Sequence, residues 1–394
     1  MLLQLFFVHS LCCEALAMAR LARAEVFAHD EIAIVHVMNR VVRRCFLIGD
    51  DPISGKNYDH RKVWIENDLR RLAAQFGIDL LGFSILSNHF HLILRSRPDV
   101  VATWNDAEVA RRWCWLCPRS KADDGSPLEP TAAEISSIAN NPVRVAELRR
   151  RLSNISWWMR LLCQNFGQRA NAEDRATGKF WESRYRAVRL LDDTALLACA
   201  AYVDLNPIRA GIAESLPASD HTSIQRRLQA LVATTAANPH AASNDGPVTT
   251  PSADAGVPST AAESPCQSPA DAFLSPLAID ELRDSVGPCP SVGGRRCSDK
   301  GFLPLSIQDY ARLLDWTVRQ RVAGKRGATP ASLPPVLSQL GMAPESWCQL
   351  VGRFGELFYC VAGQSTVIDS ARSRLRQRRF RVRPAARKLL CDAR

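Results

Sequence analysis

Two histidines one residue apart, His89-Phe90-His91, sit in the apolar run SILSNHFHLIL and speak more directly of chemistry than any other spacing in this chain. In a strand, successive side chains alternate between faces, so both imidazoles point to one side while Phe90 turns into the core behind them. Two nitrogen ligands on one face suit a divalent cation that takes a further oxygen ligand and keeps positions open for a substrate phosphate. The plainer alternative is a pair of solvent-facing histidines. A second constellation is Ala201-Tyr202-Val203-Asp204-Leu205-Asn206-Pro207. Tyr202 and Asn206 are four apart and share a helix face, so the Asn206 amide oxygen could reach a metal that Tyr202 faces. Pro207 disfavours helical geometry at the residue before it, which puts Asn206 at the last turn. The alternative has Tyr202 packed in the core and Asn206 capping the helix end.

Several residues flank these two groups. Arg40, Arg184, Arg186 and Arg209 are candidates for backbone phosphate contacts, or plain surface arginines. Tyr185, between Arg184 and Arg186, is a second tyrosine beside cations, a rival to Tyr202 for any nucleophilic role. Trp181 either stacks a base or anchors the interior. His36 reads as a core or supporting histidine rather than a ligand. Cys114-Trp115-Leu116-Cys117 is half of a zinc site at most, because no second CxxC or nearby HxxxH completes it.

The elements that must position these side chains can be read from periodicity. Residues 31–38 and 78–86, with 89–95, are β-branched and apolar enough for three strands, and Ser87-Asn88 marks a tight turn between the last two. From Arg61 to Phe76, the residues Ile65, Leu69, Leu72 and Phe76 recur at helical spacing, which predicts an amphipathic helix on a sheet. Strand, helix, strand, strand and then further helix predicts an α+β sandwich with a mainly antiparallel sheet. Residues 103–175 are mostly helical in pattern, notably Val145 to Cys163, with a break around Asp123 to Pro130, and read as an insertion. GKFWESRYRAV, Gly178 to Val188, reads as a short strand or extended arm, and Asp192 as the N-cap of a helix from Thr194 towards Leu205.

Composition divides the 394 residues. Residues 1–30 form an N-terminal extension whose apolar start resembles a signal-peptide core without a basic segment before it; Met18 offers an alternative start, leaving 1–17 as upstream sequence. Residues 31–225 carry the motifs. Residues 226–300, rich in Pro, Ala and Ser, read as a disordered linker. A small all-α domain comes next over 301–365, with a helix from Ser306 and Asp309 through Val322 and others at 331–340 and 344–358. Residues 366–394 form an Arg-rich tail: nine Arg and one Lys against one Asp from 371 onward supply +9 of the net +10. That balance favours a polyanionic partner. Thirteen scattered Cys point to a reducing compartment. No apolar run is long enough for a membrane span, and no P-loop or GxGxxG is present.

Taken in order, VHVMNR, SILSNHFHLIL, GKFWESRYRAV and YVDLNPIRAG resemble the single-tyrosine HUH transposases, in particular the REP-associated tyrosine transposase branch in its long form. The resemblance covers about residues 31–225, and 301–358 look like the extra helical domain of longer members. It implies a ferredoxin-like HUH core with a helical insertion. It implies Tyr202 as the nucleophile, attacking single-stranded DNA to leave a 5′-phosphotyrosine and a free 3′-hydroxyl. It further implies His89 and His91 as ligands of Mg²⁺ or Mn²⁺, with Asn206 as the third, polar ligand. The implied partner is hairpin or palindromic single-stranded DNA, in the bacterial cytoplasm or nucleoid, with no membrane. Dimeric members exchange the tyrosine helix between protomers, which makes a homodimer one arrangement for this chain. Two other functions stay open on the same residues: a catalytically silent DNA-binding protein, and a hydrolytic metallonuclease using metal-bound water.

Overall fold

The computed structural model describes residues 26–28, 30–123, 127–237, 269–280, 286–322, 334–374 and 380–391. The expected extension before residue 26, and the Pro/Ser-rich centre of the expected linker, 238–268, lie outside these residues.

The chain is α+β, built on one mixed five-stranded sheet whose strands lie in the order Ile78–Ile85, His89–Ser96, Ile34–Arg40, Arg186–Leu190, Val361–Ala362. Its first part runs β1 (Ile34–Arg40), α1 (His60–Gln75), β2 (Ile78–Ile85) and β3 (His89–Ser96). β1 pairs antiparallel with both β3 and β4 (Arg186–Leu190), and β2 with β3. The Ser87-Asn88 turn closes with the Leu86 amide donating to the His89 carbonyl at 2.9 Å. α1 lays the expected stripe of Ile65, Leu69, Leu72 and Phe76 on the sheet, all of them buried. The insertion is helical: α2 (Pro98–Thr103), α3 (Asp106–Leu116), α4 (Ala132–Ala139), α5 (Pro142–Leu152) and α6 (Ile155–Glu173). The run Val145 to Cys163 is two helices rather than one. Asn154 starts the second by accepting a hydrogen bond from the Ser156 amide at 2.8 Å.

Register fixes which residues face which core. Val35, Val37, Phe90, Leu92 and Leu94 point to the side covered by α1 and α6. The alternate positions, including Ile93, Val188 and Leu190, point to the other side. There the sheet meets α7 (Asp193–Asp204), whose first turn is capped by Asp192 accepting from the Ala195 amide at 2.8 Å. α7 does not carry Asn206 on its last turn. Asn206 opens a separate one-turn helix, α8 (Asn206–Arg209), because Pro207 suits the first helical positions of a new turn rather than the continuation of the old one. The C-terminal end of α7 is held by Asp204, which is buried and accepts from Ser223 Oγ (2.6 Å), the Ile224 amide (3.0 Å) and Tyr310 Oη (2.8 Å). These bonds tie it to α9 (Ser223–Ala237) and α10 (Ile307–Val322). Ser306 starts α10, accepting from the Asp309 amide at 3.1 Å.

Both ends of the stretch expected as a linker are part of the fold. Residues 223–237 are α9, and 269–280 with 286–300 wrap the edge of the sheet at β2. The Ser275 amide donates to the Leu80 carbonyl at 3.0 Å, so an otherwise open strand edge is partly covered. The cause is polar and not visible in composition. Asp79, fully buried, accepts from Arg95 Nε (2.8 Å), Arg97 Nη1 (3.2 Å) and both the amide (3.0 Å) and Oγ (2.9 Å) of Ser298. Arg95 also donates to the carbonyls of Lys300 and Gly301.

The C-terminal part is likewise continuous with the sheet instead of a separate body. α11 (Pro335–Gln339), α12 (Pro344–Gly352) and α13 (Phe354–Leu357) pack with α10 on α7 in one core. β5 (Val361–Ala362) joins β4 in parallel. The helix expected over 344–358 breaks at Arg353, whose φ of −121° and ψ of 17° end α12 and start α13. Part of the Arg-rich tail is folded as well, in α14 (Ser365–Arg374) and α15 (Pro384–Cys391), with Phe380, Ala386 and Leu389 buried. No helix among the described residues is long and apolar enough to cross a membrane.

Asp79→Ala would leave Arg95 and Arg97 buried without their carboxylate, and the expected loss in stability is about 3–5 kcal/mol. Denaturant unfolding of the two proteins measures it; a loss under about 1 kcal/mol would contradict the role given to this carboxylate.

Candidate functional site

Strand register gathers the chemistry on one face. Opposite residues in an antiparallel pair share a face, and Arg40↔His89, Met38↔His91 and Met38↔Arg186 are such pairs. His36 lies two residues back on β1, opposite Val188. All of these side chains therefore look towards α7 and the C-terminal helices. They line a cavity of about 170 Å³ that also contains Tyr202, Arg209 and the segment from Gly352 to Glu356.

The histidines form a connected set. His36 Nε2 lies 2.9 Å from His91 Nδ1, with the rings stacked at 5.1 Å between centroids. His89 Nδ1 lies 2.6 Å from Oδ1 of Asn88, the turn residue beside it. His91 Nε2 is buried and has no hydrogen-bond partner. An orphaned ring nitrogen whose other nitrogen is held by a neighbour is the donor arrangement of a metal-ligating histidine, so these residues fit a divalent cation. No group of three or more His, Cys, Asp or Glu among the described residues is arranged to hold a metal by itself, so further ligands would have to be amide, water or substrate oxygens.

Tyr202 meets this set edge-on, its ring 5.4 Å from His91 and 6.0 Å from His36. On its other side is Phe354, fully buried and 5.7 Å from the Tyr202 ring. A Cβ on Gly355 would stand 2.9 Å from Tyr202 Oη, so a side chain there would have to push the tyrosine or α13 aside. Arg209 places its guanidinium 4.9 Å from the Tyr202 ring centroid and donates from Nη2 to the Gly352 carbonyl. The cavity is below the ~300–1,000 Å³ usual for small-molecule sites. The segment from Gly352 to Glu356 therefore narrows the approach to Tyr202.

The electrostatics are those of a dry, cationic pocket. Burial, helped by the charge of Arg186, lowers His36 to about 3. Burial, with Arg40, does the same to His89, and His91 lies well below the ordinary histidine range through burial first, then the neighbouring rings of His89 and His36 and the charges of Arg40 and Arg209. All three rings are neutral at pH 7, the form a metal ligand needs. Burial raises the Tyr202 phenol, and Arg209 opposes that rise.

Of the residues singled out in the sequence, Tyr202, His89, His91, Arg40, Arg186 and Arg209 line one cavity, and Asn206 and Arg184 are not among its lining. The Asn206 Nδ2 is buried and without a hydrogen-bond partner. Arg184 is exposed on the arm before β4. Tyr185 is 9% exposed, packs in the core on the opposite face of the sheet and shares a 2.9 Å hydrogen bond with Ser156 Oγ. Trp181 donates from Nε1 to the Cys163 carbonyl at 2.8 Å and packs on Phe90, which is the anchoring alternative. Phe354 and Gly355 had no signal in the sequence, lying about 150 residues after Tyr202 and outside every motif. His36 had one, its shared strand parity with the hairpin.

No protein-family model matches the chain, and no curated protein matches it. A solved structure that it resembles is that of a REP-associated tyrosine transposase bound to a REP hairpin, at 11% identity and a TM-score of 0.29, covering 58% of this chain and 93% of that one.

The neutral burial of His36 predicts acid sensitivity. Its folded-state value of about 3 lies below the unfolded 6.5, so below pH 6.5 the unfolded chain binds the extra proton and stability falls as pH drops. The share of this one residue is up to about 1.4 kcal/mol per pH unit. In His36→Asn the decline in stability from about pH 6.5 to pH 4 is expected to be shallower by that amount, while the carboxylates common to both proteins cancel. Equal slopes would contradict it.

Proposed function

We propose that this chain is a metal-dependent DNA strand transferase that cleaves and rejoins single-stranded DNA through Tyr202. The strand order β2-β3-β1-β4, with α1 between β1 and β2, is compatible with the ferredoxin-like core of the HUH transposases. The reading rests most on one observation: a tyrosine and a neutral histidine with an orphaned ring nitrogen meet 5.4 Å apart, ring to ring, in a cavity bordered by Arg40, Arg186 and Arg209.

In this reading the Tyr202 oxygen attacks the scissile phosphorus. A Tyr–O–P bond forms as the bond from phosphorus to the 3′ oxygen breaks, and the departing oxygen takes a proton as a 3′-hydroxyl. The phenol gives up its own proton on the way. Its burial disfavours phenolate, so Arg209 against the ring has the task of favouring it. Arg40 and Arg186 would hold the phosphates that flank the reacting one. His89 and His91 would hold Mg²⁺ or Mn²⁺, which when bound polarises the scissile phosphate and offsets its developing charge. The motif resemblance assigns Asn206 as the third ligand, and that role would need its amide to turn into a cavity that it does not line here. Because the phosphotyrosine conserves the bond energy, rejoining needs no nucleotide cofactor. Hairpin or palindromic DNA as substrate, and a homodimer as the active form, belong to the same proposal.

A second reading has a specific observation behind it. Phe354 and Gly355 lie against Tyr202, and a cavity of about 170 Å³ does not admit a nucleotide, as expected of a DNA-binding protein that no longer turns over. End-labelled hairpin DNA, incubated with the protein in Mn²⁺ or EDTA and run under denaturing conditions, separates them. The transferase gives a metal-dependent covalent band that falls to background in Tyr202→Phe. Cleavage without that band, unchanged in the variant, would indicate hydrolysis by water. Binding with neither cleavage nor linkage would indicate the silent protein.

A further inference from the structure

The chain leaves β1 through a 3₁₀ turn, Val42–Arg44, in which Arg43 and Arg44 both have positive φ, 54° and 60°. The other non-glycine residues with positive φ among the described ones, Arg175, His221 and Cys289, are isolated. A side chain bearing a Cβ adopts this conformation at a steric cost that glycine avoids and asparagine partly avoids. Two arginines in succession are therefore a poor choice for the turn itself.

The turn is also fixed in place. The Arg44 amide donates to the Val41 carbonyl and the Cys45 amide to the Val42 carbonyl, each at 3.1 Å. Asn88 Nδ2 donates to the Arg44 carbonyl at 3.1 Å, while Oδ1 of the same side chain sits 2.6 Å from His89 Nδ1. One asparagine thus joins the arginine turn to the histidine hairpin. Both arginines are exposed, and neither takes part in an ion pair among the described residues. The neighbouring arm is bonded to the same place: the Val42 amide donates to the Phe180 carbonyl and the Glu182 amide to the Arg40 carbonyl, both at 2.9 Å. Together, residues 40–46 and 178–186 carry Arg40, Arg43, Arg44, Lys179, Arg184 and Arg186 against a single carboxylate, Glu182.

We infer that Arg43 and Arg44, on the turn that follows the cavity-lining Arg40 and is tied through Asn88 to His89, are a phosphate clamp that grips the backbone of a single-stranded nucleic acid and leads it past Arg40 to His89 and His91. The inference rests on the DNA-processing reading above and adds to it two contact residues and a direction of approach. The grip is blind to sequence, since it is made to phosphates, and it weakens with salt.

Glycine at both positions is the decisive substitution, because it removes the charges and suits the backbone. Binding of a fluorescently labelled single-stranded oligonucleotide, in EDTA so that no cleavage occurs, is followed by anisotropy across a salt titration. In R43G/R44G the melting temperature is expected to hold or rise, while affinity falls about tenfold and the slope of log K against log salt shrinks by about 1.4, two phosphate contacts' worth on a single strand. The R43Q/R44Q protein, which keeps a Cβ at both positions, is expected to lose the same affinity. Unchanged affinity and slope in both variants, with DNA still bound, would overturn the clamp and leave the transferase reading standing. Failure of the unsubstituted protein to bind the oligonucleotide would remove both.

Discussion

The site depends on a contact between two strands: His36 on β1 and His91 on β3, bonded ring to ring at 2.9 Å on the face of the sheet that meets α7. Each imidazole is buried, and a buried polar group without a partner is costly. The bond satisfies one nitrogen of each. It also decides what is left over. When His91 donates from Nδ1, its Nε2 keeps a lone pair directed away from His36, and that nitrogen is the one without a partner. The register of β1 with β3 and β4 then determines what surrounds it. Met38, Arg40, Arg186 and Val188 share the face by strand parity, and Tyr202 arrives from α7.

The rest of the molecule holds this face closed. Asp204 anchors the end of α7 to α9 and α10, and β5 docks the C-terminal helices on β4. The break at Arg353 turns Phe354 and Gly355 onto the tyrosine. Burial in this pocket keeps its histidines neutral and its tyrosine hard to ionise. The segment from Gly352 to Glu356 closes one side of it, against Tyr202.

How much of this could be read from the sequence varied with the range of the interaction that decides it. Strand alternation placed His89, His91 and Phe90 correctly, and a helical stripe gave α1, because both are local periodicities. Asp192 was legible as a cap for the same reason. The separation of Asn206 from the end of α7 was not, since whether a proline ends one helix or begins the next depends on how the segment after it packs. The folded ends of the 226–300 stretch were hidden because the groups that hold them lie far away in sequence: Glu66 and the Leu81 carbonyl bind Arg226 and Arg227 of α9, and Asp79 and Arg95 bind the segment from Ser298 to Gly301. Phe354 and Gly355 were invisible for a similar reason: nothing local distinguishes them, and their importance comes from where a helix break puts them.

The most direct measurement is Mn²⁺ binding by the purified protein, monitored as loss of the free-ion electron paramagnetic resonance signal, with His91→Ala and His36→Asn beside it. Binding of Mn²⁺ that is abolished in His91→Ala and weakened about 10–100-fold in His36→Asn is the predicted result. Equal binding in all three proteins, or none in the unsubstituted one, would contradict the assignment of this pocket as a cation-dependent site.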